Sequence, residues 1–189
     1  ISGGDGTLVG GGATCHADVA ADGRYAALSG LAAQIGDPAV RSRGTIGGSI
    51  ANNDPAACYP AAALGSGATI VTNTREISAD DFFVGMFETA LQEGEIVTAV
   101  RFPIPDKAHY QKFVQPASRF ALVGVFVSQS SAGVRVAVTG ASNAGVHRWT
   151  AAEDALNAEF VDPLAIENQP NIQLSDIESQ VNRSTLDLD

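Results

Sequence analysis

The residues best suited to chemistry lie in 41–62, and above all in the run from Gly44 to Ser49, which reads Gly-Thr-Ile-Gly-Gly-Ser. Adjacent glycines let a ligand approach the backbone closely and can adopt positive φ at little steric cost. The flanking hydroxyls add donors, so the run can present several N–H and O–H groups to one anion. Asp54 and Pro55 have the pattern of a helix N-cap followed by proline. We therefore predict a donor-rich loop that leads into a helix and binds a phosphate-bearing cofactor.

A glycine pair between hydroxyl residues also occurs in tight turns that join two buried elements, so the run alone leaves a binding loop and a plain turn both open. Asp37 and Pro38 start a turn just before it, which brings Arg41 and Arg43 to the mouth of the run. These arginines are either a solvated basic pair or contacts for a phosphate or a partner.

Composition limits the partners. The 189 residues carry a formal net charge of −10; 45% are hydrophobic and 17% charged, as is typical of a globular protein. Nucleic acid and anionic membrane are therefore unsuitable as main partners, and a bound phosphate needs local donors. The sequence contains no apolar run that approaches the roughly 20 residues of a membrane span.

The cysteines and histidines do not have the spacing of metal sites. Cys15 and Cys58 lack a CxxC pattern, so we interpret them as reduced structural thiols in a cytoplasmic protein, with no iron–sulfur or zinc site. His16, His109 and His147 are isolated, and we interpret them as surface or core residues.

Hydrophobic periodicity predicts an α+β fold. A strand is expected over 6–12, a helix over 25–35 and a hairpin over 68–77. The alanine-rich segment 55–64 is expected to be helical, with Pro60 breaking it into two turns. After the hairpin, a cluster of large apolar side chains is predicted to be core: Phe82, Phe83, Met86 and Phe87.

The prolines in 103–105 disfavour a continuing strand or helix, so we place a domain boundary there. The first domain spans 1–104 and the second 105–189. In the second, alternating segments predict a small three-stranded antiparallel sheet, followed by a helix that a capping box opens at Thr150. Its last thirty or so residues, 161–189, are polar and irregular, and we expect them to be loosely held.

Three motifs in fixed order carry a family resemblance: the glycine run, residues 94–103 and residues 116–121. From about residue 5 to 160 the chain resembles the FAD-binding medium subunit of molybdenum hydroxylases, and within that family the carbon monoxide dehydrogenases. The resemblance implies that FAD lies extended between two α/β subdomains and contacts two glycine loops. The second loop matches Thr45 to Ser49. The first would lie upstream of Ile1, so the chain resembles a medium subunit without its N-terminal subdomain.

The resemblance also implies cofactor contacts beyond the glycine run. Ile96 matches a position that lines the flavin ring, and Lys112 one near the flavin's pyrimidine edge. Many relatives have an acidic residue where Cys58 lies, and a thiol cannot make a bond of comparable strength. Asp54 either substitutes for that residue or only caps the helix. The cofactor-binding residues implied are Gly44, Thr45, Ile46, Gly47, Gly48, Ser49, Asp54, Cys58, Ile96 and Lys112.

By resemblance, the chain is an electron-transfer flavoprotein subunit of a carbon monoxide dehydrogenase-like oxidoreductase. A large molybdopterin subunit would oxidise the substrate, and a small subunit with [2Fe-2S] clusters would pass electrons to FAD, then to quinone or another acceptor. Any membrane association would be peripheral, through the complex. The alternative is a truncated assembly fragment that no longer binds FAD, which the absent first loop favours. We expect the isolated chain to be inactive.

Overall fold

The computed structural model describes residues 1–158 of the chain. Along the chain, these residues form two strands, five helices, two strands, a short helix, seven strands and a final helix. The last four strands make up a second sheet. The bounds are β1 Ser2–Gly4, β2 Thr7–Gly11, α1 His16–Ala21, α2 Ala26–Ala33, α3 Pro38–Arg43, α4 Ile46–Asn52, α5 Cys58–Ser66, β3 Thr69–Thr72, β4 Glu76–Ser78, α6 Ala79–Phe82, β5 Phe83–Gly85, β6 Glu88–Thr89, β7 Val97–Pro103, β8 Lys107–Val114, β9 Ala121–Ser130, β10 Gly133–Thr139, β11 His147–Arg148 and α7 Thr150–Ala158.

The first sheet is antiparallel throughout and has the strand order β1-β2-β7-β3-β4. Alternating apolar residues put one face into the core, as period-two patterning requires. Leu8 lies opposite Phe102, and Ile70 lies between Val100 and Ile77. The predicted strand over 6–12 and the predicted hairpin over 68–77 are therefore confirmed.

The second sheet has the order β11-β10-β9-β8 and is also antiparallel. It contains the three predicted strands and a fourth of only two residues, β11. Tyr110, Phe126 and Ala137 form a buried row across it. The class is α+β as predicted, with one more strand than expected.

Helix α7 packs on β10 through a buried carboxylate. Glu153 accepts hydrogen bonds from the Val136 N–H at 2.9 Å and from the Arg148 guanidinium at 2.9 and 2.6 Å. Burial opposes ionisation, but these donors outweigh it and hold the pKa of Glu153 below its usual value. The predicted helix that begins at Thr150 is confirmed, but its capping box is not formed. The Glu153 N–H donates to Trp149 O, and the Glu153 carboxylate accepts from Val136 and Arg148. The prediction for 161–189 lies outside the described residues.

Helix α5 lies at the centre of the molecule, and all nine of its residues are buried. It packs against β9 and β10 on one side and against α2 and α4 on the other. Pro60 is its third residue, where the missing N–H would have had no helical acceptor, so the helix is not broken as predicted. One core therefore joins the two sheets across residue 104, and the boundary between 1–104 and 105–189 stays a prediction.

The short β5–β6 hairpin is held by Asn53, which caps α4 in the left-handed conformation at φ 43°. Its Nδ2 donates to Gly85 O at 2.7 Å and Glu88 O at 2.9 Å. Of the four apolar residues predicted to be core, Phe82 is buried and Phe83 is half-buried, but Met86 and Phe87 are exposed on this hairpin. The prediction was wrong for those two because the chain turns away from the core after β5.

Among the described helices, none has the length and apolar character that a membrane crossing needs.

Candidate functional site

A cleft of about 530 Å³ lies where α3, α4, the start of α5 and the β8–β9 turn meet. Its wall comes from His16, from parts of 35–45 and 48–58, from Lys112 and from 118–120. Seven of the ten predicted cofactor-binding residues line it: Gly44, Thr45, Gly48, Ser49, Asp54, Cys58 and Lys112.

The glycine run is the first turn of a helix, which corrects the predicted loop. Thr45 is the N-cap of α4, and its Oγ1 accepts from the Gly48 N–H at 3.1 Å. Gly47 and Gly48 are helical, so neither needs the positive φ expected from the sequence. The predicted helix start at Asp54 is also wrong, because Asp54 Oδ1 caps a turn by accepting from the Ala56 N–H at 2.9 Å.

Gly47 is required for packing. A Cβ there would lie 2.6 Å from Gly12 O and 2.8 Å from Gly12 Cα. The Gly47 N–H also donates to Gly12 O at 2.9 Å. The two glycines therefore fix α4 against the end of β2, and Gly47 and its neighbour Ile46 are buried beneath the cleft instead of lining it.

Most backbone donors of the run are already used. The N–H groups of Ile46 and Gly47 donate to Thr14 O and Gly12 O, and that of Ser49 donates to Thr45 O. Within the described part of the chain, the Thr45 N–H has no acceptor and Ser49 Oγ has no partner. The glycine run can therefore offer an anion one backbone N–H and two hydroxyls, fewer amide donors than the loop interpretation predicts.

Cationic side chains supply the remaining donors. Arg43 and Arg119 line the cleft, and neither forms an ion pair with another described residue. Lys112 is buried, and its Nζ donates to Gln34 O at 2.9 Å, which leaves two N–H groups for a ligand. Among the described residues of the lining, Asp54 is the one carboxylate against these three cations.

The floor of the cleft is less polar. Cys58 opens α5 and is 4% exposed. Burial, with Cys58 nearby, raises the pKa of Tyr110, and burial raises that of Tyr59 too, so both phenols remain protonated. Neither phenol oxygen has a hydrogen-bond partner among the described residues.

Ile96 lies outside the cleft. It precedes β7, its side chain is 62% exposed, and its N–H donates to Asn73 Oδ1 at 3.0 Å. Its contact with a flavin stays a prediction. Arg41 is also turned away, because its guanidinium donates to Ile35 O and Gly36 O.

Among the residues of the cleft wall that sequence reasoning missed, three have side chains that bear on binding: His16, Arg119 and Phe120. Arg119 adopts φ 61° in the β8–β9 turn, which sequence alone does not signal. His16 reaches the cleft because Cys15 pairs with Thr45 as an isolated antiparallel bridge, a contact between segments thirty residues apart.

The arrangement fits an anionic, phosphate-bearing cofactor. Among the described residues, three cations and the hydroxyls of Thr45, Ser49 and Ser118 line one cleft in a chain whose net charge is −10. Glycines at 44 and 48 keep the wall free of side chains, which suits close approach of a bulky group. A metal site has no comparable support, since no group of three or more His, Cys, Asp or Glu residues within 1–158 could hold an ion.

Comparisons with known proteins agree with this chemistry. Residues 1–105 match the family described as "FAD binding domain in molybdopterin dehydrogenase". The glyceraldehyde dehydrogenase medium chain of Sulfolobus acidocaldarius is 38% identical over 60% of this chain and 42% of its own. The nicotine 6-hydroxylase medium subunit of Paenarthrobacter nicotinovorans is 37% identical over 68% of this chain and 49% of its own. A solved structure of carbon monoxide dehydrogenase from Hydrogenophaga pseudoflava matches with a TM-score of 0.78 and 31% identity, over 87% of this chain and 63% of that chain.

The chain therefore belongs to the family of FAD-binding domains of molybdopterin dehydrogenases, which confirms the resemblance to medium subunits of molybdenum hydroxylases. It spans 42% and 49% of the two curated relatives named above.

Proposed function

We propose that the cleft binds FAD and that the chain forms part of an electron-transferring medium subunit of a molybdenum hydroxylase. The observation that carries the proposal is the cationic cleft in an acidic chain, formed largely by residues within the segment that matches the FAD-binding family. If the chain were only an assembly fragment that does not bind FAD, the hydrogen-bond donors and cations of this cleft would have no ligand.

In this proposal the chain's residues bind and orient the cofactor. Arg43 and Arg119 neutralise phosphate charge, and Thr45 and Ser49 donate hydrogen bonds from their hydroxyls. Lys112 donates from the N–H groups that Gln34 leaves unused. FAD, when bound, supplies one- and two-electron redox chemistry.

Two further residues have weaker polar roles. Asp54 uses Oδ1 for the Ala56 N–H and keeps Oδ2 for a cofactor hydroxyl. The Cys58 thiol lies in the floor and is only a weak hydrogen-bonding group. We assign Cys58 to the apolar floor and Asp54 to polar recognition of the cofactor.

At the level of a complex, we propose that partner subunits hold the molybdenum cofactor and the [2Fe-2S] clusters. FAD held by the cleft residues of this chain would supply the redox chemistry that links those clusters to quinone or another acceptor. Free thiols at Cys15 and Cys58 support a cytoplasmic location. Carbon monoxide is the proposed substrate, because the three motifs resemble carbon monoxide dehydrogenases and the solved structure of that enzyme from Hydrogenophaga pseudoflava matches 87% of this chain.

The substrate is tested on a complex assembled with its partner subunits, by acceptor reduction with carbon monoxide, glyceraldehyde or nicotine. Carbon monoxide-dependent reduction is expected. Turnover of glyceraldehyde or nicotine alone would contradict the carbon monoxide assignment and leave the FAD role intact.

FAD binding is tested by titrating the chain and following quenching of flavin fluorescence. Lys112→Met keeps the length and burial of the side chain but removes its charge, so we expect at least about tenfold weaker binding. Lys107→Met, on the exposed end of the same strand, is the matched control and should bind as the unchanged chain does. Absence of FAD binding by the unchanged chain would contradict the proposed function.

A further inference from the structure

His16 has a buried imidazole whose two ring nitrogens form no hydrogen bond with the described residues. The residue opens α1, is 5% exposed and forms part of the cleft wall. Nδ1 is fully buried without a hydrogen-bond partner among the described residues, and none of those residues bonds Nε2. Buried polar atoms are usually paired, so an imidazole of this kind calls for an explanation.

Packing fixes the ring in place. It lies against the Tyr59 ring with centroids 5.2 Å apart. On its other side is Gly44, where a Cβ would lie 2.6 Å from His16 Nε2. Gly44 O also accepts from the His16 N–H at 2.9 Å. The glycine therefore leaves room for Nε2, and the ring keeps its orientation without a side-chain hydrogen bond.

The surroundings select one tautomer. A buried N–H without an acceptor is rarer and costlier than a buried acceptor without a donor. Because Nδ1 is the fully buried nitrogen, we place the proton on Nε2 and leave Nδ1 unprotonated. Burial also holds the pKa of His16 below its ordinary value, so the ring is neutral at neutral pH. His16 therefore offers the cleft one N–H donor without adding charge.

The charged groups that line the same cleft show what this donor would meet. Arg43 comes from the end of α3, Lys112 from β8 and Arg119 from the β8–β9 turn, and Asp54 is the carboxylate opposing them. A phosphate oxygen is the acceptor that these cations favour most.

We propose that His16 is a cofactor-binding residue that donates a hydrogen bond from Nε2–H to a phosphate oxygen of FAD. This inference rests on the proposed function of the cleft. No proton is transferred, because the neutral ring donates and remains neutral. Gly44 has a second role in this arrangement, since any larger residue would displace the donor.

The first test needs no cofactor. Nitrogen-15 spectra of the labelled chain should show His16 as the neutral Nε2–H tautomer at pH 7, and FAD should shift the Nε2 resonance. An Nδ1–H tautomer or an imidazolium would overturn the inference and would leave the proposed FAD binding unaffected.

The second test compares three variants by flavin titration. His16→Phe keeps an aromatic ring packed against Tyr59 but removes the donor, and we expect roughly tenfold weaker FAD binding. His16→Gln places an amide near the Nε2 position and should restore most of the affinity. His109→Phe, on the exposed part of β8, is the control and should bind normally. Thermal unfolding of each variant establishes that it is folded.

Riboflavin lacks phosphate, so its affinity distinguishes a contact between His16 and phosphate from a contact between His16 and another part of the cofactor. It should bind His16→Phe as well as it binds the unchanged chain. An equal loss of riboflavin and FAD affinity would overturn the phosphate contact. Unchanged FAD affinity in His16→Phe would overturn the role of His16 while the proposed function stands, and failure of the unchanged chain to bind FAD would overturn both.

Discussion

At the scale of single residues, two neighbouring glycines have different roles. Gly47 is buried and packs on Gly12, whereas Gly48 is exposed and lines the cleft. The sequence identified the glycine pair as special, but it could not separate the two roles, because Gly12 lies 35 residues away. It also suggested a loop, since glycine has low helix propensity, whereas the Thr45 cap and the packing on β2 stabilise a helix there.

We expect Gly47→Ala to lower the free energy of unfolding by about 1–3 kcal/mol, because the added methyl would overlap the Gly12 backbone. This loss outweighs the gain of roughly 1 kcal/mol in helix propensity. Denaturant unfolding measures the effect. Gly30→Ala in α2, where a Cβ meets nothing within 4 Å, is the matched control and should stabilise by about 0.5–1 kcal/mol. Equal stability of the two variants would contradict the packing role of Gly47.

Gly48→Val should act on binding more than on stability. Its Cβ would approach only Thr45 Oγ1, at 3.0 Å, and the larger side chain would project into the cleft. We expect the stability to change by less than about 1 kcal/mol and FAD affinity to fall at least about tenfold. Flavin titration of the folded variant gives the answer, and affinity equal to that of the unchanged chain would show that Gly48 does not face the cofactor.

At the scale of elements, Glu95 holds the β3–β4 turn against the segment before β7. Its carboxylate accepts from the Arg75 guanidinium, from the Thr72 and Thr74 hydroxyls and from the Gln92 N–H. These donors, Arg75 first, hold the pKa of Glu95 far below its usual value. Glu95 belongs to the motif 94–103, one of the three that carry the family resemblance. In the structure its carboxylate joins the β3–β4 turn to the segment before β7.

The sign of the pH dependence follows from that lowered pKa. Because the folded pKa lies below the unfolded value of about 4.5, the carboxylate stabilises the fold above that pH and progressively less as the pH falls. Glu95→Gln should therefore be less stable than the unchanged chain at pH 7, with a difference that narrows below about pH 4.5. Thermal unfolding across pH measures it. Glu93→Gln, an exposed neighbour, should show no such difference, and a pH-independent gap for Glu95→Gln would contradict the account.

At the scale of the whole molecule, helix α5 packs against strands of both sheets. The longer strands were predictable from the sequence, because the alternation of apolar and polar residues is a local pattern. The full burial of α5 was not, because its alanine-rich sequence has no apolar stripe to indicate which side faces the core. The close approach of Gly65 to Phe126, where a Cβ would lie 2.5 Å from the ring, joins residues 61 positions apart.

A shared core predicts cooperative unfolding of the described part. Trp149, the single tryptophan, follows β11 and reports on the second sheet, whereas far-ultraviolet circular dichroism reports on all elements. We expect the two signals to change together in denaturant, because α5 packs on elements of both halves. An earlier change in tryptophan fluorescence would show that 105–189 unfolds as a separate unit.

Hydrogen–deuterium exchange of the chain with and without saturating FAD shows whether FAD binds in this cleft. We expect protection in 43–49, 54–58 and 112–120, which contain most of the residues that line the cleft. Protection confined to other segments, such as the edge strands β1 and β4, would contradict FAD binding in this cleft.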